Sequence, residues 1–377
     1  MKFFARKRIY FPESQDKKLK WLIFVAGIVS ILAFLSVKIF TSEHPLPYSN
    51  RMITAAQIME KAISAIRSYC NRTGIKIDET TDPNLTGLIG SEISPIATTL
   101  GNLAAKRTTT NPEFAALVVR LLEEAGVSPG DTIAIGSSGS FPALMIAAIA
   151  AAQSLNVYPI IIISLGASSY GATNPDFNLL SIYEVLFQKK IFTVQPAAVS
   201  LGGDQDVGRD FDPAIKARLI KQIKNSGFPF IYEPNLEKNV AKRMKIFEGN
   251  SSKKSRIAAF VNIGGGYANI GTSEQVLKIK PGLSHPRSIP PKAERGVLFG
   301  MAARKIPIIH LLYIKGLAMK YGLPWDPIPL PKPMESGLFN IQSNQNSQFW
   351  IISSIYFTIL IGLILYGIKI SFHSTEK

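Results

Sequence analysis

The sequence predicts an α/β domain on a parallel sheet, flanked by one transmembrane helix at each end. Three observations predict it. Short apolar runs alternate with helix-patterned segments through the middle of the chain, the syntax of βαβ units. The pairs Asn111-Pro112, Asn174-Pro175 and Asp212-Pro213 each read as an N-cap followed by proline at the first helical position. An apolar stretch of about 20 residues lies near each terminus, long enough to span a hydrocarbon core. The layout is Rossmann-like. About 300 residues between the two stretches leave open one large core or two lobes.

The first apolar stretch, 21–40, carries only Lys38 and follows a basic segment, 1–20, holding Lys2, Arg6, Lys7, Arg8, Lys17, Lys18 and Lys20. No Ala-x-Ala pattern follows Phe40, so an uncleaved anchor is expected rather than a signal peptide. The second stretch, 349–368, is uncharged; Lys369 begins the tail 369–377, and a neutral Asn/Gln/Ser stretch (340–348) precedes it. The excess of Lys and Arg outside both spans places both termini in the cytoplasm and the domain 41–322 outside, a two-pass arrangement.

Within the domain, Ile63, Ile66, Tyr69 and Cys70 mark a helix on which the one cysteine is a packing residue. With no second cysteine there is no internal disulfide, and the redox compartment stays open. The segment 86–110 brings Glu92, Lys106 and Arg107 up to the first Asn-Pro cap, without a mechanism of its own. Helices are expected from Pro112 to Gly126, from Pro175 through Leu180 and Val185, and from Pro213 to about Gly227. A further helix, 142–155, is apolar nearly all round and should be covered on every side. Strands are expected at 132–135, 157–165, 197–201, 228–232 and 257–263. Leu236, Val240, Met244 and Phe247 form a helix face, and Lys238, Lys242, Arg243 and Lys245 around it read as a solvated side rather than a basic groove. Five prolines between Leu323 and Met334 predict an extended strap, part of a linker 323–348 to the second span.

The chain carries +16, and about nine of those charges belong to the region between the spans. An acidic polymer, a phosphorylated ligand or an anionic membrane surface would suit that charge; nucleic acid is not among the expected partners.

Four loops at strand ends are the candidate site, where parallel sheets bind ligands. The first is Gly136, Ser137, Ser138, Gly139 and Ser140. It reads as an anion cradle at a helix N-terminus, as a partial nucleophile elbow with Ser138 as the attacking residue, or as a turn with a serine cap. A triad would draw on Asp204, Asp206 or Asp210 and on His285 or His310. The second loop, 166–174, adds Ser168 and Ser169. The third, 202–210, groups Asp204, Asp206 and Asp210 with Arg209, which suits sugar hydroxyls or a divalent cation at Asp204/Asp206. No other cofactor is predicted, and no His/Cys spacing suits zinc. The fourth loop opens with Gly264, Gly265 and Gly266.

Several motifs occur in a recognisable order: Gly-Leu-Ile-Gly-Ser-Glu (87–92), Ala-Lys-Arg-Thr (105–108), Asn-Pro-Glu-Phe-Ala-Ala-Leu (111–117), Gly-Ser-Ser-Gly-Ser-Phe-Pro-Ala-Leu (136–144) and Ser-Leu-Gly-Ala-Ser-Ser-Tyr-Gly-Ala (164–172). Gly-Gly-Asp-Gln-Asp-Val-Gly (202–208), Asn-Ile-Gly-Gly-Gly (262–266) and Tyr-Gly-Leu-Pro-Trp-Asp-Pro-Ile-Pro-Leu-Pro (321–331) follow. In combination they resemble the poly-gamma-glutamate system protein family. The resemblance implies a bacterial cell-membrane protein that assists synthesis or export of the capsule-type polymer poly-γ-glutamate. Its partners would be an ATP-dependent polyglutamate ligase and a small membrane subunit. No catalytic residues carry over from the family. Two other functions stand beside this one: a serine hydrolase or transferase acting on the polymer through Ser138, and a non-catalytic scaffold for the synthase.

Overall fold

The computed structural model describes residues 13–40, 45–249, 256–332, 334, 336–340 and 347–372. Lys2, Arg6, Lys7 and Arg8, residues 341–346 of the polar stretch and the tail from residue 373 lie outside the described residues.

The chain begins with helix α1 (Glu13–Phe40) and closes with α12 (Ser347–Phe372). Each holds a 23-residue segment long and apolar enough on average to be a candidate membrane span, Lys17–Ile39 and Phe349–Ser371. At 1.5 Å per residue each covers about 35 Å, enough to cross a bilayer core. These two helices form a unit of their own, residues 1–46 with 340–377. Ser30 and Tyr356 join them by a hydrogen bond of 3.2 Å between hydroxyls, the kind of polar contact that adheres apolar helices.

Residues 47–339 form the second unit. In order it contains α2 (Ser49–Thr73), β1 (Ala97–Thr99), α3 (Leu103–Thr109), α4 (Glu113–Glu124), β2 (Thr132–Ser138), α5 (Pro142–Leu155), β3 (Tyr158–Ser164), β4 (Ala167–Ser168) and α6 (Leu179–Gln188). There follow β5 (Ala198–Ser200), α7 (Pro213–Asn225), β6 (Phe230–Ile231), α8 (Leu236–Gly249), β7 (Ile257–Ile263), α9 (Tyr267–Ile270), β8 (Gly282–Ser284), α10 (Val297–Ala302), β9 (Ile308–Leu311) and α11 (Ile314–Tyr321). Seven strands make one sheet in the order β6-β5-β3-β2-β7-β9-β8. Every pairing is parallel except β8 with β9. From β2 the chain builds outward through β3, β5 and β6, then returns to lay β7 on the other side of β2.

Side chains alternate across the sheet. Ala134, Ile162, Phe260 and Ile308 join one buried cluster with Val240, Met244 and Phe247 of α8 and Leu298, Phe299 and Met301 of α10. On the other side α5 packs against α2, α4 and the sheet. Residues Pro142–Ala152 and Leu155 of α5 are buried, which accounts for a helix without a polar face.

Local capping explains two of the three predicted helix starts. The Asn111 side chain accepts from Glu113 N–H (3.0 Å), and Asp212 accepts from Ala214 and Ile215 (2.9 and 3.0 Å) ahead of Pro213. The Asn174-Pro175 start is corrected. Asn174 accepts from Asp176 N–H in a turn (2.9 Å), and α6 opens at Leu179, capped by Asn178. The strap differs from expectation as well. The compact unit runs on to Phe339, and Arg107 holds Asp326 through Nε and Nη2 (2.6 and 2.5 Å). Leu323 is buried. The prolines therefore lay this segment against the domain instead of leading away from it.

Candidate functional site

A pocket of about 860 Å³ opens at the carboxyl ends of β2, β3, β5, β7 and β9. It sits where the strand order reverses, the crevice in which open parallel sheets bind ligands. Ser138 and Ser140 line it at the end of β2 and just beyond, and Ser164, Gly166 and Ser168 at the end of β3 and just beyond. Gly202, Gly203 and Asp204 follow β5, Gly265 and Gly266 follow β7, and Lys315 follows β9. Trp325, on the strap, completes one wall.

The four predicted loops thus converge, but not residue for residue. Gly136 and Ser137 are strand residues, because the parallel pairing of β2 with both β3 and β7 includes them. Ser137 is fully buried. Gly136 is needed for the close approach of Asn269: a Cβ there would meet its amide atoms at 2.8 Å. Gly264 makes room for the Ser138 hydroxyl in the same way. Gly139 packs its backbone against the β3–β4 turn, donating to Ser164 O and Gly166 O (2.9 and 3.1 Å).

Ser138 does not occupy an elbow. It is the last residue of β2, pairs with Ser164, and is absent from the positive-φ positions that mark strained turns. Its hydroxyl donates to Ile263 O at 3.5 Å. Of the two histidines a triad could draw on, His310 lies within β9 and meets Asn262 Nδ2 through Nδ1 at 3.0 Å. Burial pushes that imidazole down to about 4, so it stays neutral at physiological pH.

The third loop divides in two. Asp204 and Asp210 face the pocket, with Asp210 accepting from Asp204 N–H (2.8 Å). Asp206 turns the other way. Its carboxylate takes Arg243 Nη2 at 2.7 Å, Ser200 Oγ at 2.8 Å and Asn239 Nδ2 at 2.9 Å. Both of its oxygens are therefore engaged by protein donors. Among the described residues no group of three or more His, Cys, Asp or Glu side chains gathers in one place. Arg209 lines a separate shallow depression with Gln205 and Glu237. Ser169 is also outside the pocket, its hydroxyl directed at Thr99 O (3.4 Å).

Arg243 overturns the solvated-face reading of α8. Lys238, Lys242 and Lys245 are exposed, but Arg243 is fully buried and also reaches Ser164 and Ser200. Helix α8 is thereby tied beneath the pocket floor.

Lys106 is the residue whose position local pattern does not reveal. Pairing of β1 with β4 carries the following helix α3 to the pocket wall. The Lys106 side chain is only 3% exposed and still lines the pocket. Its Nζ lies 2.5 Å from Ser140 O, 2.6 Å from Ser168 Oγ and 3.9 Å from the centre of the Phe141 ring. Burial lowers its pKa to about 7. No carboxylate pairs with it among the described residues. Ser140 Oγ in turn accepts from Ser168 N–H at 3.0 Å, fixing the two serines relative to each other.

The fold and site define a mixed α/β protein with a mostly parallel sheet, a strand-end pocket, and two terminal helices long and apolar enough to cross a membrane. No family model, no curated protein and no solved structure matches the chain.

Proposed function

We propose that this chain is a membrane-anchored accessory component of poly-γ-glutamate synthesis or export, acting beside an ATP-dependent ligase and its membrane subunit. The α/β unit, Rossmann-like in its switch-point layout, takes a stretch of the polymer into the strand-end pocket. The carrying observation is the lining of that pocket. Lys315, near the indole of Trp325, and the hydroxyls of Thr99 and Ser140 supply donors for carboxylates. Asp204 and Asp210 supply acceptors for amide N–H groups. Donors and acceptors together suit a polyamide that bears carboxylates better than a plain polyanion.

The test is retention of polymer by the full chain in neutral detergent. Poly-γ-glutamate should be held at low salt and still be held at about 0.5 M, where exposed charge is screened within a few ångströms. Poly-α-aspartate and heparin at matched charge should be released. Equal retention of all three would leave nonspecific attraction to a basic surface and favour a scaffold.

On this reading both termini are cytoplasmic and the α/β unit extracytoplasmic, from the Lys/Arg bias around the spans. Reporter fusions placed after Thr41 and after Lys377 should read outside and inside respectively. A cytoplasmic signal at Thr41 would remove contact with exported polymer.

A further inference from the structure

The geometry points to Ser168 and Lys106 as a serine–lysine acyl-transfer pair, directed at the amide carbonyl of a carboxylate-bearing chain held in the strand-end pocket. The choice of substrate rests on the function proposed above; the pair itself rests on its own contacts.

Three groups surround Lys106 Nζ, and two of them have fixed roles. Ser140 O is a carbonyl and can only accept. The Phe141 ring presents its face, which attracts N–H or positive charge and offers no proton. A neutral amine has two N–H bonds and one lone pair. With both N–H groups directed at Ser140 O and the Phe141 face, the lone pair is left for Ser168, whose Oγ stands 2.6 Å away. Lys106 Nζ donates to Ser168 Oγ while the amine is charged; on losing its proton it becomes the acceptor and Ser168 O–H the donor, the arrangement a nucleophile and its base require. Burial supports the same state, since a lysine lowered to about 7 is substantially neutral at physiological pH. Ser168 lines the pocket, so the lone pairs of its oxygen face the space a ligand would fill. Ser138, by contrast, has a backbone carbonyl as its hydroxyl partner.

The chemistry balances without a cofactor. As Ser168 Oγ bonds to the acyl carbon, its proton passes to Lys106 Nζ. When the tetrahedral intermediate collapses, the C–N bond breaks and Lys106 returns that proton to the departing amine. Water then attacks the acyl-serine with Lys106 taking one of its protons, and the ester C–O bond breaks as Ser168 is reprotonated. The net change is amide plus water to carboxylic acid plus amine; an amine in place of water gives transfer. Poly-γ-glutamate would be trimmed or moved to an acceptor.

The experiment uses the full-length protein in detergent micelles with a small alkyl fluorophosphonate, the adduct being located by peptide mass spectrometry. A single adduct on Ser168 is expected. Its rate should rise about tenfold per pH unit on the acid side and level off above about pH 7, as Lys106 loses its proton. Lys106→Met should slow labelling by about 100-fold or more. Because that variant could fail to fold, the wild-type adduct position and pH profile decide the matter without it. An adduct on Ser138, no adduct, or a rate independent of pH between 5 and 9 would overturn the pair. Labelling of Ser168 in a protein that fails to retain poly-γ-glutamate would keep the pair and remove the polymer as its substrate. Retention without labelling would do the reverse.

Discussion

Replacing Arg243 with methionine should destabilise the α/β unit by about 3–5 kcal/mol, the usual consequence of leaving one member of a buried ion pair without the other. Arg243 and Asp206 are 0% and 2% exposed, and their side chains meet at 2.7 Å. Methionine preserves much of the apolar stem but leaves the Asp206 carboxylate inside the protein with neutral partners only. The change should not be confined to stability. Asp206 belongs to the loop that carries Gly202, Gly203, Asp204 and Asp210, four residues of the pocket lining. Hydrogen exchange on the full chain should show lost protection in β3, β5 and that loop before it changes in α2 or α4. The double variant Arg243→Met with Asp206→Asn should recover a large part of the loss. Asparagine removes the charge, retains acceptors and donors, and tolerates the left-handed backbone of residue 206 (φ 63°). An Arg243→Met protein with wild-type protection in β5 would mean that the pair holds nothing together.

How this arrangement was legible in the sequence depends on the range of the forces involved. Helix α5 and strand β7 occur at the predicted residues, because a run that is apolar throughout, bounded by Pro142 and Asn156 or followed by glycines, has few local alternatives. The strand-end position of the four loops followed from the same alternation. Arg243 was misread because a basic residue among Lys238, Lys242 and Lys245 looks solvated until its partner is known. That partner is 37 positions away, on a loop read as a ligand site. Lys106 reaches the pocket through β1 and β4, three and two residues long, too short for any periodicity to register. Strand β9 did leave a signal, the segment Ile308–Leu311, apolar except for His310, which lay outside the five predicted strands. Asn174-Pro175 carried the signature of a helix start without being one, since Asn178 offers a competing cap with the same chemistry.

Direct binding of a fluorescent γ-glutamyl oligomer to the full chain, comparing wild type with Gly265→Phe, decides whether the strand-end pocket is the ligand site. Gly265 lines the pocket in an ordinary backbone conformation, and a Cβ added there meets only Ile270 Cδ1, at 3.8 Å. The phenyl ring therefore enters space that the ligand would need without forcing the backbone to move. Affinity should fall by at least about tenfold, which corresponds to about 1.4 kcal/mol, while hydrogen exchange of the sheet stays at the wild-type level. Unchanged affinity in a folded Gly265→Phe protein would place the ligand elsewhere and contradict the account.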